Sequence, residues 1–210
     1  MSEEQHSSSK PRPRIQALSD LIFGLALSIG ALMLIGQQPT DFESIVASLV
    51  FYSFSFLVLV SVWRSYSTIL SVLPVETERL ITINILLLFT VSIEPYLFNQ
   101  LFIDNGTLWS NVSMLYAMDI AVMFLVLAFF NHSLGKEEKH LVPNNYLKKY
   151  RFDRNYGLVI AAVFIISILP IFEFSIQVVG LTFPLRVVVW IGALLLGLVK
   201  RHILPMRKED

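Results

Sequence analysis

Apolar and polar positions along this chain separate into long blocks instead of alternating. Runs with no charge, or with a single one, occupy 21–40, 44–63, 80–101, 109–130, 156–172 and 185–199, divided by shorter polar stretches. A helix needs about 20 consecutive apolar residues to cross a bilayer, and the period-2 alternation of an outer-membrane barrel is missing. The pattern predicts an all-α membrane protein with six transmembrane helices, spanning about 14–36, 43–65, 79–103, 109–131, 155–173 and 184–203. Together these form one six-helix transmembrane unit, 14–203, between a disordered tail at 1–13 and a short tail at 204–210. The first apolar run is too long for a cleaved signal peptide. Thr40-Asp41-Phe42-Glu43 reads as a capping box ahead of the second helix.

Composition narrows the class further. Of 210 residues, 55% are hydrophobic and 15% charged, whereas soluble domains carry about 25% charged residues. Sixteen Lys+Arg balance sixteen Asp+Glu, so the basic excess that marks a nucleic-acid partner is absent. Sorting the charges by segment is more informative than their sum. If alternate loops face the cytoplasm, 15 of the 16 basic residues lie inside, and only Arg186 lies outside. The positive-inside rule then places both termini in the cytoplasm of a cell membrane, plasma or inner, for a multi-pass chain. The outer side carries Asp41, Glu43, Glu94, Asp104 and Glu173 against Arg186, a net 1 − 5 = −4 that would concentrate cations. The basic linker 133–154 reads as an anchor against anionic lipid.

Enzymatic chemistry finds no footing. The four histidines make no metal-ligand spacing with carboxylates, and no nucleotide-binding or nucleophile-elbow motif occurs. With no cysteine, thiolate sites and disulfides are excluded. The protein is read as a non-enzyme without a cofactor.

Ionisable residues within spans are the natural functional candidates. Asp20 lies one and a half turns into the first helix, and Arg14 stands about 240° from it around the axis, so the two cannot pair on one helix. Trp63 and Asn84, at the same level of helices 2 and 3, are the candidate partners. Asp119 is the deepest carboxylate and must be protonated, paired or facing water. On helix 1, Leu25, Ser28 and Leu32 fall within an arc of about 60°, extended by Leu18, Leu21 and Gly36. Around an axis such a stripe would make apolar constrictions with a hydroxyl layer between them. Ordinary helix packing through Gly24-x-x-x-Ser28 and Ala26-x-x-x-Gly30 is the competing reading.

Arg14-Ile15-Gln16-Ala17-Leu18-Ser19-Asp20 resembles the R-x-x-x-F-S-D signature of the transmembrane protein 175 family of potassium channels. The run from Tyr52 to Trp63, and Arg79-Leu80 with Asn84 and Pro95, resemble that family's second and third helices. The resemblance implies a prokaryotic-type single six-helix unit, a homotetramer and a pore lined by helix 1 without a pore loop. It implies potassium as the permeant ion. It puts the pore constriction at Leu25 and Leu32, the polar layer at Ser28, and a signature network on Arg14, Ser19, Asp20, Trp63 and Asn84. Leu18 stands where the signature has phenylalanine, and Tyr66 where the family often has histidine. The expected function is a potassium-selective or weakly selective cation channel, with itself, membrane lipids and monovalent cations as partners. A proton-coupled transporter using Asp20 and Asp119 is the alternative.

Overall fold

The computed structural model describes residues 14–36, 41–72, 78–103, 107–136, 144–178 and 181–203. Expectations for both tails, for Asp104, and for the side chains of Arg14 and Glu43 lie outside the described residues.

Among the described residues six α-helices follow one another: α1 Arg14–Gly36, α2 Phe42–Leu70, α3 Glu78–Ile103, α4 Thr107–Lys136, α5 Asn144–Ile166 and α6 Leu185–Ile203. Four contain stretches long and apolar enough to cross a membrane: Ile15–Ile35, Ser44–Leu70, Glu78–Leu101 and Leu108–Leu134. The apolar part of α6, Leu185–Leu196, is shorter. The start of α2 is capped one residue later than the sequence pattern implies. Asp41 is the N-cap: its carboxylate accepts the Ser44 N–H at 2.7 Å, and Ser44 Oγ accepts the Asp41 N–H at 3.3 Å. Pro95 sits inside α3 without ending it, as membrane helices tolerate where neighbours re-satisfy the freed groups.

α5 departs most from expectation. It begins at Asn144, so the basic stretch with Lys148, Lys149 and Arg151 is helical, and it stops at Ile166 instead of 173. Beyond it a 3-10 turn, Pro170–Glu173, leads into an antiparallel hairpin of β1 (Ser175–Val178) and β2 (Leu181–Pro184). The missing N–H of Pro170, and the extended bias it imposes on Leu169 (φ −58°, ψ 142°), end the α-helical ladder there. The small hairpin is a departure from an all-helical chain.

α4 is the central element, packed against α3, α5 and α2, while α1 lies against α2 and α3. Tyr116, Ile120, Met123 and Phe130 of α4 are fully buried. α4 and α5 approach closely at Gly157, where an added Cβ would stand 3.1 Å from the Phe124 carbonyl oxygen and 3.3 Å from Ala128 Cβ. Trp190 of α6 stacks on Phe164 at 5.7 Å and meets Tyr116 at 5.3 Å, which fastens α6 to the α4–α5 pair.

Candidate functional site

The two sides of α1 differ in character. Ser19, Phe23 and Ala26 are buried against the rest of the bundle. Opposite them, Leu18, Leu21, Leu25, Ser28, Leu32 and Ile35 are exposed, with Leu25 at 57% and Leu32 at 62%. Their spacing of three and four residues keeps them on one face of the helix. The stripe picked out in the sequence is thus the exposed face of α1 among the described residues. Ser28 Oγ donates to the Gly24 carbonyl at 2.8 Å, so its hydroxyl oxygen remains an available acceptor on that face. Of the two small-residue pairs, Gly30 abuts Tyr52, with 3.3 Å from an added Cβ to Cε2, whereas Gly24 has no neighbour within 4 Å.

α1 is held to its neighbours by two sets of hydrogen bonds, an exposed one through Asp20 and a buried one through Ser19. Trp63 Nε1 donates to Asp20 Oδ1 at 3.1 Å, the pairing anticipated between helices 1 and 2. Asn84 does not join it. Asn84 Oδ1 instead accepts from Tyr66 OH at 2.5 Å, and the same hydroxyl meets Ser19 Oγ at 2.6 Å. Ser19 Oγ in turn donates to Ile15 O at 2.8 Å. Only one proton is available on each hydroxyl and Asn84 Oδ1 can only accept, so Tyr66 donates to Asn84, and the Ser19 proton goes either to Ile15 O or to Tyr66 OH, the second arrangement completing the bridge from α1 to α3. Tyr66 was visible in the sequence only as a departure from the family pattern. It is buried and bridges α1, α2 and α3, and it also faces the Phe23 and Phe130 rings at 5.7 and 6.4 Å.

Of the two carboxylates singled out for an outer mouth, Glu94 is buried and Glu173 is exposed. Glu94 has no exposed surface. It accepts from Ser55 Oγ at 2.8 and 3.1 Å and from Tyr116 OH at 3.0 Å, so it lies between α2, α3 and α4. α3 continues eight residues beyond Pro95, in line with the expected span of about 79–103, and Glu94 lies inside the bundle. Asp119 is 5% exposed and faces neither water nor a hydrogen-bond donor among the described residues.

Glu173 is half-exposed but engaged. It accepts from Ser110 Oγ at 2.5 Å and pairs with Arg186 at 3.5 Å. Arg186 is the functional-looking residue that charge counting undervalued. It has no exposed surface, and its Nε donates to Ser167 O at 2.8 Å. Its Nη2 donates to Ile168 O at 3.3 Å, and its Nη1 to Ser110 O at 3.4 Å and to Ser113 Oγ. The Trp109 ring lies 5.9 Å away. The guanidinium thus takes up carbonyls left free where α5 ends, at the negative pole of that helix. A lone cation opening an apolar helix is the signal that could have identified it.

Residues 14–95 match the family model described as endosomal/lysosomal potassium channel TMEM175. That stretch covers α1 and α2 and most of α3, where the resemblance was read in the sequence. No curated protein matches the chain. Among solved structures, the chain is similar to the crystal structure of a lysosomal potassium-selective channel TMEM175 homolog from Chamaesiphon minutus, with 20% identity and a TM-score of 0.61. The match covers 89% of this chain and 96% of that one, so the two share a fold along nearly their whole length.

Proposed function

Starting from the TMEM175 match over α1 to α3, we propose that this chain is one subunit of a homotetrameric, passive cation channel, potassium-selective or weakly selective. The observation that carries the reading is the two-sided α1. One side is fastened through Ser19, Asp20, Tyr66, Trp63 and Asn84, and on the other Leu25, Ser28 and Leu32 are exposed among the described residues. Four copies with these faces turned to a common axis would set two leucine rings about a ring of hydroxyls. Apolar rings oppose ion passage by dewetting, and a hydroxyl layer offers a partly stripped cation a ligand. Conduction through such a pore needs no cofactor and no bond-making.

The unit would occupy 14–203 in a cell membrane with both termini in the cytoplasm, as the sorting of basic residues favours. In that setting α5 and α6 would cross as shorter elements with the bilayer thinned about them, and exposed Lys148, Lys149 and Arg151 would rest at the anionic headgroups. Planar-bilayer recording of purified protein under bi-ionic potassium and sodium tests the reading. Leu25→Ala should raise the conductance, because a smaller, less apolar ring wets more readily. Unchanged current in Leu25→Ala, or flux that follows only an imposed proton gradient, would remove the assignment.

A further inference from the structure

Three helices change surface chemistry at one level of the bundle. The exposed side of α5 runs through Lys148, Arg151 and Asn155, then turns apolar at Leu158, Ile165 and Ile166. The antiparallel α4 is apolar along its exposed side through Leu115, Met118 and Leu125, and that side ends in exposed His132. On α3, exposed Arg79 and Thr82 precede exposed Ile85, Leu86 and Phe89. Two contacts put these changes side by side: Arg154 Nη1 lies 3.3 Å from His132 Nδ1, and the Arg79 guanidinium stands 5.1 Å from the centre of the Phe129 ring, one turn before His132. In a membrane-spanning chain such a level marks the passage from acyl chains to headgroups. The described side chains at this end carry six cations (Arg64, Arg79, Lys148, Lys149, Arg151, Arg154) and three acids (Asp20, Glu78, Asp153), a net of 6 − 3 = +3.

Within this basic rim, Arg154 and His132 are held in place. Asn155 Oδ1 accepts from Arg154 Nε at 3.1 Å and from Nη2 at 2.9 Å, which fixes the plane of the guanidinium. A guanidinium can only donate, so at the His132 contact Nη1 donates, Nδ1 accepts, and the imidazole proton sits on Nε2. These bonds use three of the five guanidinium N–H groups. The pair thus presents an oriented fork from α5 and an Nε2–H from α4. We propose that Arg154 and His132 form a site for the phosphate of an anionic phospholipid, to which exposed Lys148 and Arg151 draw the lipid. A planar fork matches two phosphate oxygens at once, whereas an ammonium acts as a point charge. The boundary selects a lipid over a soluble anion. Leu158, one turn beyond Arg154, and Leu125 on α4 offer apolar surface to acyl chains, and a free phosphate gains nothing from them. The site rests on the membrane placement given above and not on conduction.

Native mass spectrometry of the detergent-purified full chain, titrated with phosphatidylglycerol or phosphatidylcholine, counts the lipids that each protomer retains. The expected result is one phosphatidylglycerol per protomer, held more tightly than phosphatidylcholine. Arg154→Gln should weaken it about tenfold, the equivalent of one charge-assisted hydrogen bond. Arg154→Lys keeps the charge but not the fork and should lose nearly as much, while His132→Phe should lose less and Lys149→Gln least. Should Arg154→Gln fail to fold, Arg154→Lys and His132→Phe carry the comparison. Wild-type binding in Arg154→Lys, or a loss in Lys149→Gln equal to that in Arg154→Gln, reduces the site to diffuse surface charge and overturns the proposal. Equal retention of the two lipids overturns it as well. If glycerol 3-phosphate, which has no acyl chains, displaces the lipid at equal concentration, the site takes free phosphates and the lipid assignment falls. The assay reads no current, so a protein that retains the lipid without conducting refutes the channel reading alone.

Discussion

Replacing Arg186 should damage the fold far more than removing its ionic partner. The guanidinium is wholly buried, and its forked N–H groups serve Ser167 O, Ile168 O, Ser110 O and Ser113 Oγ. Arg186→Met keeps most of the stem volume and deletes every donor. Ser110 and Ser113 lie in the first turns of α4, whose ladder can absorb part of the loss. The Ser167 and Ile168 carbonyls, where α5 ends, keep no donor in that fork. An orphaned buried acceptor costs about 1–3 kcal/mol, which applies in full to Ser167 O and only in part to the part-buried Ile168 O, so the expected loss is at least about 1–3 kcal/mol. Glu173 is 40% exposed, and such an ion pair is worth about 0–1 kcal/mol. The expected order of losses is therefore Arg186→Met, then Arg186→Lys, then Glu173→Gln. Lysine retains the charge but cannot reproduce the planar fork. Denaturant unfolding of detergent-solubilised protein, followed by tryptophan fluorescence, can read the order, because Trp190 donates to Ser167 Oγ at 2.9 Å in the same cluster. If Glu173→Gln costs as much as Arg186→Met, the ion pair and not the capping of α5 holds this end together, and the reasoning fails. A loss below about 1 kcal/mol in Arg186→Met would refute it outright.

Two further substitutions test the packing around the candidate pore helix in the same assay. Tyr66→Phe removes the hydroxyl between Ser19 and Asn84 and leaves the buried Asn84 Oδ1 without that donor, for an expected loss of about 1–3 kcal/mol; an unchanged midpoint would show that the bridge does not anchor α1. Gly157→Ala drives a Cβ against the Phe124 carbonyl and Ala128, costing about 1–3 kcal/mol, whereas Gly24→Ala meets nothing in the protomer and serves as the control. Equal effects at the two glycines would contradict the close α4–α5 approach.

Much of the architecture was legible before any contact was known, and the reason differs by feature. Helices α1 to α4 follow from block hydrophobicity, a local property, and their observed bounds lie within a few residues of the predicted ones except where α2 and α4 run on at one end. The Leu25–Ser28–Leu32 stripe is a matter of helical period, which a sequence displays directly. The Asp20–Trp63 pair could be anticipated because two polar groups at one level of adjacent helices have few other partners. The bounds of α5 could not. Its start is built from charged residues that hydropathy assigns to a loop, and its end depends on Pro170 together with a guanidinium from α6.

The sequence by itself determined the solvent of this protein, the number and order of its helices, and the face of α1 that carries leucine and serine. These depend on composition and on spacing within one element. Only the tertiary structure decided which polar group meets which. It placed Glu94 in the core instead of at a mouth, and it made Tyr66 the bridge between three helices. It turned Arg186 from a stray outer charge into the cap of α5, and it buried Asp119 on the inner face of α4. Each of those outcomes joins residues far apart in the chain, and a buried polar atom's energy depends on the one partner that folding brings within about 3 Å.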